Sequence, residues 1–184
     1  MTRTYIVVEG PTDAAILRAI LPGELLQDVQ FVNGQGRYGA ESMARKLLIT
    51  ERIPTVLVID ADVEQEAVVQ EQRQDLDFLL RQASSGIPYQ ILLAVPEIEA
   101  VFFQDRGVLE SLLSRQFTDL EWHLAQQQPR VLLDTLPGGS LAFVTQTLTR
   151  LDGSQREVFR QHPLLQSLSQ FLMAQLSSTD SIAS

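Results

Sequence analysis

The sequence contains no cysteine, which excludes disulfide bonds and zinc sites built on thiolates. It has only two histidines, His123 and His162. Neither has acidic partners at the spacing of a catalytic triad or a metal site, so we expect both to lie at the surface or in packing. A metal ion in this protein would therefore be bound by oxygen atoms, and oxygen ligands favour Mg²⁺, Mn²⁺ or Ca²⁺.

Long apolar runs are also missing. No stretch of about 18 apolar residues is present, which predicts that the chain does not cross a membrane. The first residues alternate like a strand and do not resemble a signal peptide. We therefore expect a globular, cytoplasmic protein. Its 184 residues, 45% of them hydrophobic, suffice for one well-packed domain with a small appended unit.

Positive charge is scarce, and the basic residues are almost all arginine, with Lys46 the single lysine. A net charge of −9 argues against a protein that binds nucleic acid through charge alone. It does not exclude a nuclease, because a bound metal ion would cancel part of the negative charge. A local basic strip is also compatible with an acidic protein.

What the sequence does contain is four short apolar runs separated by helical patterns. Strands are predicted at residues 5–8, 29–32, 55–59 and 90–95. The run at residues 55–59 is wholly apolar, which is typical of a strand buried on both faces. Alternating strands and helices predict an α/β fold in which a parallel sheet carries helices on both faces.

The pattern changes after residue 105. Short helical segments are interrupted by Pro129, Gly153 and Pro163, which predicts an all-helical extension over residues 106–176. We expect it to pack on the α/β domain of residues 1–105 and to cover the sheet or shape a cleft. Residues 177–184 are predicted to form a flexible tail.

Acidic residues follow three of the predicted strands. The carboxyl ends of parallel strands lie at one edge of the sheet, where ligands usually bind. We therefore expect these acids to converge, with Glu9 within about 10 Å of the Asp60 carboxyl group, and to hold one or two Mg²⁺ ions. The alternative is that they only cap strands and begin helices. The acids are Glu9, Asp13, Asp60, Asp62, Glu97 and Glu99.

Two stretches of the sequence that contain these acids resemble a known protein family. Residues 7–14, which include Glu9, Gly10 and Asp13, and residues 58–64, which include Asp60 and Asp62, are similar to the Toprim domain of topoisomerases, primases, recombination proteins and OLD-family nucleases. The resemblance covers roughly residues 4–105. It implies a Toprim-like sheet of four parallel strands flanked by helices.

The resemblance also implies roles for the acids. Glu9 would act in acid or base chemistry, while Asp60, Asp62 and Glu64 would coordinate Mg²⁺ or Mn²⁺. The closer likeness is to OLD-type and stand-alone Toprim proteins, in which a second site would use Asp13, Glu97 and Glu99. The family often has a lysine after the later acids. Here Lys46 precedes them, which leaves Arg37, Arg45 or Arg106 as possible replacements.

The function implied is metal-dependent hydrolysis of phosphodiesters in DNA or RNA, with Glu9, Asp60 and Asp62 as catalytic residues. Three alternatives stay open. The chain could be a non-catalytic Toprim interaction module that works with a separate ATPase, since OLD nucleases have an ATPase domain that is missing here. It could process RNA like the small 5S ribosomal RNA maturases. It could also be a phosphatase similar to the haloacid dehalogenases, although that family places its aspartates nearer the N-terminus.

A glycine-rich turn follows the second strand. Gly34, Gly36 and Gly39 have the spacing of a dinucleotide-binding fingerprint, but their position after the second strand makes that a weak match. We interpret the segment as a tight turn. It either faces a phosphate with the Gly36 N–H group and Arg37, or it is structural only.

Overall fold

The computed structural model describes residues 4–180, apart from the side chains of residues 147 and 178–180. It is an α/β protein built on one sheet of four parallel strands in the order β2-β1-β3-β4. This confirms the predicted fold class at that level. The strands are β1 (Thr4–Val8), β2 (Val29–Asn33), β3 (Thr55–Asp60) and β4 (Tyr89–Ala94).

Burial of the strands follows their place in the sheet. The inner strands β1 and β3 are buried along their whole length, as their continuous apolar sequences predict. The edge strand β2 is only partly buried. In the register of the sheet, Val8 lies beside both Asn33 and Val58, so β1 and β3 end at the same edge.

Helices connect the strands and cover both faces of the sheet. The connections contain α1 (Pro11–Ile20), α2 (Gly23–Leu26), α3 (Arg37–Thr50) and α4 (Glu66–Ser84). The helical patterns between the predicted strands are thus α-helices in the structure. In the described part of the chain, no helix is long and apolar enough to cross a membrane.

Every described element after β4 is helical. A 3-10 helix spans Ile98–Gln104, and a π-helical turn at Phe143–Thr147 and a 3-10 turn at Leu148–Arg150 follow later. The α-helices are α5 (Arg106–Leu113), α6 (Asp119–Gln127), α7 (Pro129–Asp134), α8 (Gly139–Ala142), α9 (Gly153–Arg160) and α10 (Pro163–Asp180). Residues 177–180 of the predicted tail belong to α10, and residues 181–184 lie outside the described residues.

Two hydrophobic cores lie on opposite faces of the sheet. Tyr5 and Val7 of β1 face the core formed with α3 and α4. Ile6 and Val8 face the core formed with α1 and with helices that follow β4. Alternate residues of one strand thus serve different cores, as the pleat of a strand requires. The later helices share a core with the sheet, while the division into two units at residue 105 stays a prediction.

Candidate functional site

The acids at the ends of β1 and β3 meet, as the parallel strands require. Glu9 directly follows β1, and its Oε1 accepts a hydrogen bond of 2.9 Å from the backbone N–H of Asp60, the last residue of β3. The Glu9 carboxylate therefore lies less than about 10 Å from that of Asp60, because an aspartate carboxylate is only a few bond lengths from its own nitrogen.

Asp13 is held in the first turn of α1. Its Oδ2 accepts a 2.9 Å hydrogen bond from the backbone N–H of Gly10 and closes the N-terminus of the helix. This is the helix-capping role that was the alternative to metal binding. Its side chain is nevertheless buried beside the ends of the strands, so both roles are compatible with its position.

A cleft of about 370 Å³ opens at this edge of the sheet. Four of the acids predicted as metal ligands line it, and they come from β3 and from segments that follow β1 and β4. Asp13, Asp60 and Glu99 are all buried. The lining residues are Glu9, Gly10, Thr12, Asp13, Gly36, Asp60, Glu99, Arg130 and Ser140.

The other three predicted ligands do not line this cleft. Asp62 is exposed and has a left-handed backbone, with φ of 56°. It still lies close enough for its charge to raise the pKa of Glu9 and of Glu97. Glu64 is exposed in the loop before α4. Glu97 is partly buried, and its Oε2 accepts a 3.0 Å hydrogen bond from the backbone N–H of Arg130.

Arg130 is a charged residue of the cleft that was not predicted from the sequence. It lies in the first turn of α7, and its Nη2 donates to Asp60 Oδ2 at 2.6 Å. Its Nε donates to Glu99 Oε1 at 3.1 Å, and its Nη2 also reaches Glu99 Oε2 at 3.3 Å. Pro129 indicates the start of a helix here, but no local pattern tells which carboxylates the next side chain will meet.

Burial and crowding perturb the titration of these acids. Burial, reinforced by repulsion from Glu99, raises the pKa of Asp60 to about 7 in spite of the Arg130 contact. Burial is also the main reason why the pKa values of Glu9, Asp13 and Glu97 are raised. In the lining of the cleft, as far as the structure describes the chain, the acids Glu9, Asp13, Asp60 and Glu99 outnumber the basic residues, of which Arg130 is one.

The residues of the cleft fit a divalent cation in chemistry but not in arrangement. The donors fit in kind, because carboxylate oxygens are the ligands that Mg²⁺ and Mn²⁺ prefer. They are not assembled in this conformation, since no three Asp, Glu or His side chains within residues 4–180 are grouped closely enough to bind one ion. Asp60 and Glu99 are instead both paired with Arg130.

The glycine-rich turn after β2 contributes Gly36 to the lining of the cleft. A Cβ atom on Gly34 would lie 2.2 Å from the Ala40 nitrogen, and one on Gly39 would lie 1.8 Å from the Gly34 oxygen. The turn is therefore closely packed and needs glycine at both positions. The N–H group of Gly36, which was predicted to face a phosphate, donates instead to the Glu9 carbonyl oxygen at 2.8 Å.

Arg37 is also engaged within the protein. Its Nη1 donates to the Asp60 carbonyl oxygen at 3.1 Å, its Nη2 to Gln72 at 3.0 Å and its Nε to Glu41 at 3.2 Å. These bonds join the end of β3 to α3 and α4. A phosphate contact by Arg37 stays a prediction. The hydrogen bonds that Arg37 makes in the structure hold the backbone of Asp60 in place.

The two histidines lie away from this cleft. His123 is exposed on α6. His162 precedes α10, where its Nδ1 accepts a 3.2 Å hydrogen bond from the Leu164 N–H group, and burial lowers its pKa. Neither histidine lines the acidic cleft, and the His162 side chain accepts a hydrogen bond at the start of α10.

The fold and the cleft define a class: an α/β protein that gathers buried acids at the carboxyl edge of a parallel sheet. Comparisons of the chain with protein-family models, with curated proteins and with solved structures gave no match.

Proposed function

We propose that this protein is a Toprim-like nuclease that uses Mg²⁺ or Mn²⁺ to hydrolyse phosphodiester bonds in DNA or RNA. The observation that supports this proposal best is the meeting of Glu9 with the Asp60 backbone in a cleft that Asp13 and Glu99 also line. Residues far apart in sequence thus bring oxygen donors to one place.

Glu9 is suited to proton transfer. Burial raises its pKa, and so does repulsion from Asp13 and Asp62, which brings its titration closer to neutral pH. Its carboxylate is oriented by the N–H group of Asp60. In the proposed reaction, Glu9 accepts a proton from the attacking water or returns one to the leaving oxygen.

The cation would be held by Asp60, Glu99 and Asp13. Next to these residues lie Asp62 and Glu97. When bound, the ion would neutralise charge and stabilise the oxygens of the phosphoryl group. The charge of the cleft supports a role for a cation. Its lining contains four acids and one arginine, so a phosphodiester would be repelled until more positive charge is present.

A nuclease assay tests the proposal. Purified protein with Mn²⁺ should cut plasmid or single-stranded nucleic acid, and Asp60→Asn should not. Asp75→Asn is a matched control, because Asp75 is exposed on α4 and lies outside the cleft. Equal cutting by the wild type and by Asp60→Asn would contradict the proposal.

One observation favours a second candidate, an interaction module that works with a separate ATPase. Arg130 already pairs with Asp60 and Glu99, so these two carboxylates have a cationic partner without an ion. If calorimetry detects no binding of Mn²⁺ and the protein retains a partner ATPase in a pull-down, this second function replaces the first.

A further inference from the structure

We propose that Arg130 and a divalent cation exclude one another at Asp60 and Glu99. The guanidinium occupies these carboxylates in the metal-free protein and leaves them when the ion binds. This inference rests on the proposed function, because it requires that the cleft binds a dication.

The carboxylate oxygen atoms of Asp60 and Glu99 are already engaged. One oxygen of Asp60 and both oxygens of Glu99 accept hydrogen bonds from Arg130. The remaining Asp60 oxygen, Oδ1, accepts a 2.8 Å bond from the Ile98 N–H group. An ion on the same carboxylates would lie a few ångströms from the guanidinium, where like charges repel strongly.

Burial leaves the two carboxylates dependent on a cation. The side chains of Asp60 and Glu99 are only 8% and 2% exposed. Buried carboxylates need a cationic partner, and among the residues that the structure describes Arg130 is the only basic one that lines the cleft. Arg37 cannot replace it without giving up its bonds to Glu41, Gln72 and the β3 backbone. The two acids therefore have one internal cation, and an external dication would compete for the same place.

The Arg130 side chain can leave the two carboxylates without unfolding α7. Its side chain is 40% exposed, so it can rotate into solvent. Its backbone N–H group would remain bound to Glu97 Oε2 at 3.0 Å. Leu133 of the same helix is fully buried in the core and keeps α7 in place. Exchange of the guanidinium for an ion thus requires a change of one side chain.

Calorimetric titration with Mn²⁺ at pH 8 tests the exclusion. The full chain is compared with Arg130→Gln and with Arg106→Gln. The structure does not bring Arg106, one of the arginines considered above as a replacement for the lysine, to the cleft. Its side chain is 35% exposed and pairs with Glu110 and Asp119 outside the cleft, so it is a matched control. Arg130→Gln should bind Mn²⁺ at least about tenfold more tightly than wild type, within the usual range of coupling between linked ligands. Arg106→Gln should bind like wild type.

The possible outcomes separate the two claims. If wild type binds Mn²⁺ and Arg130→Gln binds it equally or more weakly, the exclusion is wrong and the proposed function stands. If neither protein binds Mn²⁺, both are wrong. Tighter binding by both arginine variants would show a general effect of charge and would also overturn the exclusion.

A measurement on the unaltered protein guards against misfolding of the variant. In NMR spectra with labelled arginine, the Arg130 Nε–H signal should be protected from exchange without metal and should lose that protection at saturating Mg²⁺. The Arg106 Nε–H signal, which reports its bond to Glu110, should stay unchanged. Retained protection of Arg130 at a Mg²⁺ concentration that calorimetry shows to be saturating would overturn the proposal.

Discussion

The metal-free protein should lose stability as the pH rises from 5 to 8, because Asp60 must then ionise inside the protein. Burial and the neighbouring Glu99 raise the pKa of Asp60 from 3.8 to about 7, and Arg130 offsets this only in part. The folded protein therefore keeps a proton that the unfolded chain has released. The free energy of unfolding falls across this window and levels off above pH 7.

The size of the effect follows from the shift in pKa. A change from 3.8 to about 7 corresponds to a total of about 4 kcal/mol. Integrated between pH 5 and pH 8, the linkage relation gives a loss of about 2.5 kcal/mol from Asp60. Glu9, Asp13 and Glu97 also have raised pKa values and change stability in the same direction. Their contribution must be separated from that of Asp60.

Urea denaturation in EDTA at pH 5, 6, 7 and 8 separates them when wild type is compared with Asp60→Asn. The asparagine is neutral at every pH and keeps an oxygen for the Ile98 N–H group. The free energy of unfolding of Asp60→Asn should therefore fall by about 2.5 kcal/mol less than that of wild type between pH 5 and pH 8. Parallel curves for the two proteins would refute the reasoning. With saturating Mn²⁺ the wild type should instead gain stability as the pH rises, because ionised carboxylates bind the ion.

Two further predictions concern the fold around the cleft. Gly39→Ala should destabilise the protein by about 2 kcal/mol or more in urea denaturation, because its Cβ would strike the Gly34 oxygen. The control Gly23→Ala should be nearly neutral, because its Cβ meets no atom within 4 Å. Equal effects of the two variants would contradict the close packing of the turn. Phe102→Ala should cost about 3–5 kcal/mol, because the ring is fully buried. The control Phe78→Ala should lower the free energy of unfolding by less than about 0.5 kcal/mol, because this ring is 68% exposed. Equal shifts of the melting temperature in the two variants would contradict this assignment of the core.

The sheet could be predicted from the sequence because its physical signal is local. Apolar runs such as residues 56–59 belong to strands covered on both faces, and the helical patterns between the runs indicate parallel strands. Each strand was located to within about one residue. The meeting of Glu9 with Asp60 follows from the same rule, since parallel strands end at one edge.

The composition of the cleft could not be predicted in full. The place of Arg130 depends on how α7 packs against the segment after β4, and such packing leaves no local pattern in sequence. Asp62 was expected beside Asp60, but the backbone turns at that position into a left-handed conformation and leaves the side chain exposed. Aspartate tolerates this conformation, so the sequence carries no warning of the turn.

The most direct test of the account is anomalous diffraction from crystals of the full chain grown with Mn²⁺. The account predicts a manganese peak in the acidic cleft, within about 2.5 Å of a carboxylate oxygen of Asp60 and of at least one of Glu9, Asp13 and Glu99. Arg130 should then be turned away from Asp60. A cleft without a manganese peak, with Arg130 still bonded to Asp60 and Glu99, would contradict it.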